Sequence, residues 1–234
     1  MSETVIREVA SNVWTFSRPF ARFGLIPFGG RSTAIKLRSG GVWVLASTPL
    51  EPETKAKLEE LGISSVQMLF TISISRTYPD AKLIAPKEAI ERHTNKELVF
   101  DGAWGRDPPD TKYGFEDEIK SCFFSGFKNK DVAFFHPETK VLIEADLLFN
   151  LPAIEQYSKS TSSGKLPLFG GFSPSSWFQP RFLWNLGTDK EAMRRDAKTV
   201  AGWDFEKIIP CHGDVIEKDG KKAWEEAYKF YLSD

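Results

Sequence analysis

The chain has 234 residues, 41% hydrophobic and 13% aromatic, enough apolar surface for a substantial core and too much for a disordered polypeptide. Its 31 Lys and Arg nearly cancel its 32 Asp and Glu, so bulk charge argues against a nucleic-acid or anionic-membrane partner and for a small neutral or apolar molecule or a protein. Two cysteines, Cys122 and Cys211, exclude a disulfide scaffold; with a charged N-terminus and no apolar run of ~20 residues, they lead to the expectation of a soluble, cytoplasmic protein.

In chain order, "TVIREVASNVWTFSRPF" alternates apolar and polar residues on both sides of Ser11-Asn12 and predicts two strands joined by a turn. "STAIKLRSGGVWVLAS" predicts a hairpin around Ser39-Gly40-Gly41, because glycine supplies the positive φ of a tight turn. "EPETKAKLEELG" predicts a helix, with Pro52 in its first turn and Gly62 just past its end. A strand over Val66 to Phe70, a second in "AKLIAP" and a helical turn or two in "KEAIERH" complete an alternating rhythm that implies a layered α/β (α+β) fold.

The second half follows the same style. "KDVAFFHPETKVLIEADLLF" predicts a hairpin turning at His136-Pro137-Glu138-Thr139, where the fixed φ of proline suits a type I turn. Residues 153–187 are rich in Ser, Gly, Pro and aromatics without a period, and predict a long loop or lid with short helices. "TDKEAMRRDAKTVAGW" predicts a helix, "FEKIIPC" a strand and "GKKAWEEAYKFYL" a closing amphipathic helix. No internal repeat appears, so one domain over 1–234 with a loop insertion is the economical reading.

The order of hairpins, helices and a late strand-His-Gly turn resembles the metallo-β-lactamase fold superfamily, a four-layer αββα sandwich of zinc hydrolases and their relatives. The phrases "VWTFSRPF", "GRSTAIKL", "ASTPL", "YPDAKLIAP" and "LIEADLLFNLP" place it closest to a lactamase-like branch of that superfamily with a degenerate metal site. The resemblance implies a carboxylate after the second hairpin, where Ala46 stands, and an H-x-H-x-D-H loop, where "VQMLFTISIS" stands without a ligand. It implies a Gly-His before a later hairpin, where "FSGFKNKDVAFF" has Phe127. Two positions match: Asp146 falls on the metal-bridging carboxylate and His212, in "IIPCHGD", on the last zinc ligand.

Catalytic zinc takes about three protein ligands and a water, so Asp146 and His212 alone form an incomplete site. Glu144, two residues before Asp146, shares its strand face and is a conceivable third ligand. Asp146 and His212 have three readings: hydrogen-bonding groups that hold the backbone and each other, retained zinc ligands, or metal-free acid-base residues. Glu144 reads as a partly exposed or ion-paired strand residue. Cys211 and His212, as strand neighbours, point to opposite faces unless the chain turns there, and Cys211 and Cys122 read as buried structural thiols.

His93 reads as a solvated helix end and His136 as a surface residue at the hairpin tip. The "SKSTSSGK" run lacks the spacing of a phosphate loop, and no cofactor motif is present. Phe172, Trp177, Phe178, Phe182 and Trp184 form either an apolar pocket wall or packing beneath a long loop. Three functions follow. The first is a non-hydrolytic or weakly active small-molecule-binding or accessory protein with a largely lost dinuclear zinc site. The second is a hydrolase or lyase acting on a small ester, thioester or lactone through Asp146 and His212. The third is an altered gene product lacking the H-x-H-x-D-H loop around Val66 to Thr77.

Overall fold

The computed structural model describes residues 3–62, 77–92, 98–165 and 172–233, together with the backbone of 66–69. His93 and most of the ligand-free segment after Leu69 lie outside the described residues.

The first hairpin pairs β1 (Val5–Ala10) with β2 (Val13–Arg18), the chain reversing at Asn12 in the left-handed region. Asparagine tolerates that φ because its short polar side chain bonds locally. A two-stranded ribbon, β3 (Ala21–Arg22) with β4 (Ile26–Pro27), follows without any clear signal in the sequence. Next come β5 (Gly30–Lys36) and β6 (Val42–Leu45), joined through Gly40 at φ 88°. Helix α1 (Pro52–Leu61) starts at its proline and stops at Gly62, φ 98°, whose N–H caps the Glu59 carbonyl. It carries the chain across to β7 (Val66–Leu69), which runs parallel to β6. The strand β8 (Lys82–Pro86), the short helix α2 (Lys87–Arg92) and β9 (Gly102–Trp104) extend the sheet to the order β1-β2-β5-β6-β7-β8-β9.

The second sheet, β10 (Lys120–Phe123), β11 (Val132–His136), β12 (Val141–Glu144) and β13 (Lys207–Pro210), runs in that order, with β12 and β13 parallel. Between β12 and β13 lie α3 (Ile154–Tyr157), α4 (Phe178–Leu186) and α5 (Lys190–Ala201), the last capped by the Asp189 side chain on the N–H groups of Glu191 and Ala192. The chain closes with α6 (Gly220–Ala227) and α7 (Lys229–Leu232). The expected single closing helix is broken at the fully buried Tyr228, whose hydroxyl donates to the Leu147 carbonyl at 2.8 Å.

Three cores set the layers. Val13, Ile35 and Trp43 of the first sheet meet Phe134, Ile143 and Ile209 of the second, with the Trp43 and Phe134 rings 4.8 Å apart. Helix α1 packs Leu58 and Leu61 on the outer face of the first sheet, against Phe16, Val42 and Val44. Met193, Val200, Trp224 and Tyr228 cover the outer face of the second, on Phe135, Leu142 and Ile208. The architecture is a four-layer αββα sandwich. Strands buried on both faces read as unbroken apolar runs, which is why "VAFF" and "VLI" lack alternation.

One expectation fails in the second hairpin. His136 is the last residue of β11, 4% exposed, with Nδ1 2.7 Å from the Thr139 hydroxyl, so it is a core residue and not a surface residue at the tip. The strand runs one residue further than the turn signal suggested, and the reversal falls on Pro137–Lys140, with Lys140 at φ 54°.

Candidate functional site

The C-terminal ends of β6, β12 and β13 meet the end of β2 and the start of β5, and chemistry-bearing residues collect there. β12 ends at Glu144, and Asp146 follows in a bend that its own N–H fixes by donating to Asp131 Oδ2 at 2.6 Å. Asn129 Nδ2 donates to Asp146 Oδ2 at 2.7 Å, and Asp146 Oδ1 lies 3.3 Å from His212 Nε2. His212 Nδ1 is 2.6 Å from the Gly29 carbonyl oxygen. A carbonyl only accepts, so Nδ1 carries a proton, and Nε2 faces a carboxylate. The imidazole is stacked on Phe149 at 5.7 Å and 3° and on Phe20 at 6.0 Å, with Phe28 edge-on at 5.7 Å.

These contacts set the charges. Burial opposes protonation of His212, but the neighbouring Cys211 sulfur and the Asp146 carboxylate outweigh it and lift the imidazole to about 11. Burial likewise opposes charge on Asp146, and the hydrogen bonds and charges of His212, the Asn129 amide and the Arg22 charge hold its carboxyl below the usual range. Asp131, buried and beside Asp146, is pushed up to about 7.

The turn that carries His212 is clamped from two sides. Arg31, 1% exposed, donates from Nη1 to the carbonyls of Pro210 at 2.7 Å and Gly213 at 2.6 Å, while Nε reaches Ser17 Oγ and Nη2 pairs with Glu155. Gln156 Nε2 donates to the Cys211 carbonyl at 2.8 Å, and its Oε1 accepts from the Gly213 N–H at 3.0 Å. Gly213 sits at φ 93°, and a Cβ there would fall 2.1 Å from the Asn150 carbonyl oxygen. Because β13 stops at Pro210, strand alternation does not apply beyond it. Cys211 and His212 therefore line the same cleft, the case in which the chain turns.

The cleft holds about 520 Å³ and is lined by the apolar Pro19, Phe20 and Pro49, by Arg18, Arg22, Ser47 and Thr48, and by Asp146, Cys211 and His212. Asp146 and His212, which the resemblance alone had linked, are thus brought together. Glu144 is not the partly exposed or ion-paired residue expected: it is 0% exposed, its Oε2 accepts from Leu148 N–H at 3.0 Å and its Oε1 has no partner. Burial and the charge of Asp131 push its carboxyl well up. Ala46 and Phe127 are fully buried apolar residues. Phe172 rests on Phe149 at 5.2 Å, with Phe178 and Phe182 against it, so these rings stand behind the imidazole. Trp177 is 71% exposed, and Trp184 packs on Tyr231 at 4.8 Å in the helix layer. Sequence reasoning did not single out Asn129, Gly29, Arg22, Phe20 or Phe149, and no local pattern marks them.

Solved structures resemble this one over nearly the whole of this chain. DIM-1 metallo-β-lactamase superposes with a TM-score of 0.63 at 12% identity, covering 98% of this chain and 97% of that one. The metallo-β-lactamase FIM-1 from Pseudomonas aeruginosa, in its mono-zinc form, gives 0.59 at 14% identity over 98% and 95%. The Flv1 flavodiiron core from Synechocystis sp. PCC6803 gives 0.65 at 10% identity, with 99% of this chain spanning 61% of that one. This is the metallo-β-lactamase fold. No protein-family profile and no curated protein matches the sequence. Identities this low carry the fold and not the activity.

A metallo-β-lactamase fold raises the question of a metal at this cleft, and the donor set does not fit one. Both Asp146 oxygens are engaged by Asn129 and His212, and both His212 nitrogens by Gly29 and Asp146. Among the described residues no group of three or more His, Cys, Asp and Glu could hold a metal ion. The segment Ile63 to Pro79 contains none of these residue types at all.

Proposed function

We propose that this protein is a small-molecule-binding protein built on the metallo-β-lactamase fold, in which hydrolytic zinc chemistry is lost and the old metal cleft survives as a ligand pocket. The whole chain acts as one domain in this reading. The observation that carries it is the engagement of His212 on both ring nitrogens. His212 is held between a carbonyl and a carboxylate, and among the described residues no group of three or more His, Cys, Asp and Glu could hold a metal ion. A cleft of about 520 Å³ is within the size range of small-molecule sites, ~300–1,000 Å³.

The reading is tested by titrating zinc into the purified protein by calorimetry while following the His212 ring by nitrogen-15 NMR. The expected result is no stoichiometric zinc binding and a ring that stays doubly protonated at neutral pH, with Asp146→Asn lowering its pKa from about 11. One zinc per chain, abolished in His212→Ala, overturns it. Turnover of a small ester or thioester that chelators leave intact and His212→Ala removes would instead establish the hydrolase reading.

A further inference from the structure

The charges around the cleft are not balanced, and the imbalance bears on what enters it. Arg18 is paired with Glu51, and His212 with Asp146. Arg22, on β3 at the mouth, has no carboxylate within ion-pair distance among the described residues; its guanidinium lies over the Phe23 ring, 5.6 Å from the centroid. The one carboxylate inside the cleft, Asp146, has both oxygens committed to Asn129 and His212. An incoming molecule therefore meets a guanidinium with unspent donors, beside an apolar wall formed by Phe20, Pro19 and Pro49.

A planar guanidinium fork matches a carboxylate or phosphate in two parallel hydrogen bonds and matches a neutral group far less well. We propose that the ligand of this cleft is a small organic anion with an apolar body, its carboxylate or phosphate paired with Arg22 and its hydrocarbon part laid on Phe20. The assignment rests on the binding reading above and departs from the sequence expectation of a neutral or apolar ligand: the chain is neutral as a whole, but this cleft presents a guanidinium with no carboxylate within ion-pair distance among the described residues.

The probes are 4-phenylbutyrate, its neutral amide 4-phenylbutyramide, and phenyl phosphate, titrated into the full chain while the amide and His212 ring signals are followed by NMR. Saturable shifts at Ser47, Thr48 and His212 are expected, with the amide at least about tenfold weaker than one or both anions. The relative affinities of phenylbutyrate and phenyl phosphate identify which anion the cleft prefers. Arg22→Gln, at an exposed position, is expected to reduce anion binding to the level of the amide while leaving amide binding unchanged. Equal affinity for anion and amide, or anion binding indifferent to Arg22→Gln, overturns the anion assignment and leaves the binding reading standing. Absence of any saturable shift with all three probes at millimolar concentration overturns both.

Discussion

Glu144 shows how much a single residue depends on its surroundings. A carboxyl with one hydrogen bond and one unpartnered oxygen in an apolar interior is far more stable protonated, because a lone buried charge has nothing to replace its lost hydration. Its folded-state pKa lies above the ordinary value of 4.5, so the stabilisation it contributes is complete below that value and is lost as pH rises toward the folded pKa. Glu144→Gln keeps an oxygen for the Leu148 N–H and does not titrate. Urea denaturation at a series of pH values is expected to show the variant gaining on the parent as pH rises; parallel curves would mean that Glu144 is already ionised in the folded protein.

At the scale of elements, the decisive piece is the turn after β13. It has four residues, Pro210 to Gly213, and takes hydrogen bonds from Arg31, at the start of β5, and from Gln156, in α3. Helix α3 opens the stretch that sequence reading treats as a loop or lid, yet Glu155 and Gln156 tie it to Arg31, Ser17 and the His212 turn. Replacing Arg31 with methionine removes the donors from two buried carbonyls and one charge from the Arg7–Glu155–Arg31 cluster. The expected loss is roughly 3–5 kcal/mol, as for breaking a buried ion pair, read as a lower urea midpoint. The His212 ring signals should also move, since the turn that aims the ring is released. A destabilised variant with unmoved ring signals would show that Gln156 and Gly213 suffice to place it.

For the whole molecule, stability rests on the layer between the two sheets. Phe134 is fully buried there, with its ring near those of Trp43, Trp104 and Phe115. Phe134→Ala is expected to cost about 3–5 kcal/mol, the transfer and cavity penalty of a buried aromatic, measured by chemical denaturation. A loss under about 1 kcal/mol would mean that the sheets close over the gap. The cleft lies at one end of this layer, where strand ends from both sheets meet, so its geometry depends on how the sheets are stacked as well as on the residues of its own loops.

Much of this was legible in the chain. The hairpins at Asn12 and Gly40 and the helix between Pro52 and Gly62 follow from φ preferences and end signals that act within a few residues. Asp146 and His212 stood out through the resemblance to the metallo-β-lactamase superfamily, at the positions of its bridging carboxylate and last zinc ligand. The partners of those two residues did not stand out. Gly29, 183 positions from His212, contributes only a carbonyl, a group nearly every residue has, and Asn129 reaches Asp146 across a hairpin. Glu144 and His136 were misjudged because residue type reports the cost of burial and not whether burial occurs. Sequence by itself determined the layered fold, since period, turn chemistry and side-chain type are local properties, and its resemblance to a known superfamily named Asp146 and His212. Tertiary structure alone decided that the two engage each other and that Cys211 shares their cleft, because where strands end and what they meet is settled by packing between segments far apart in the chain.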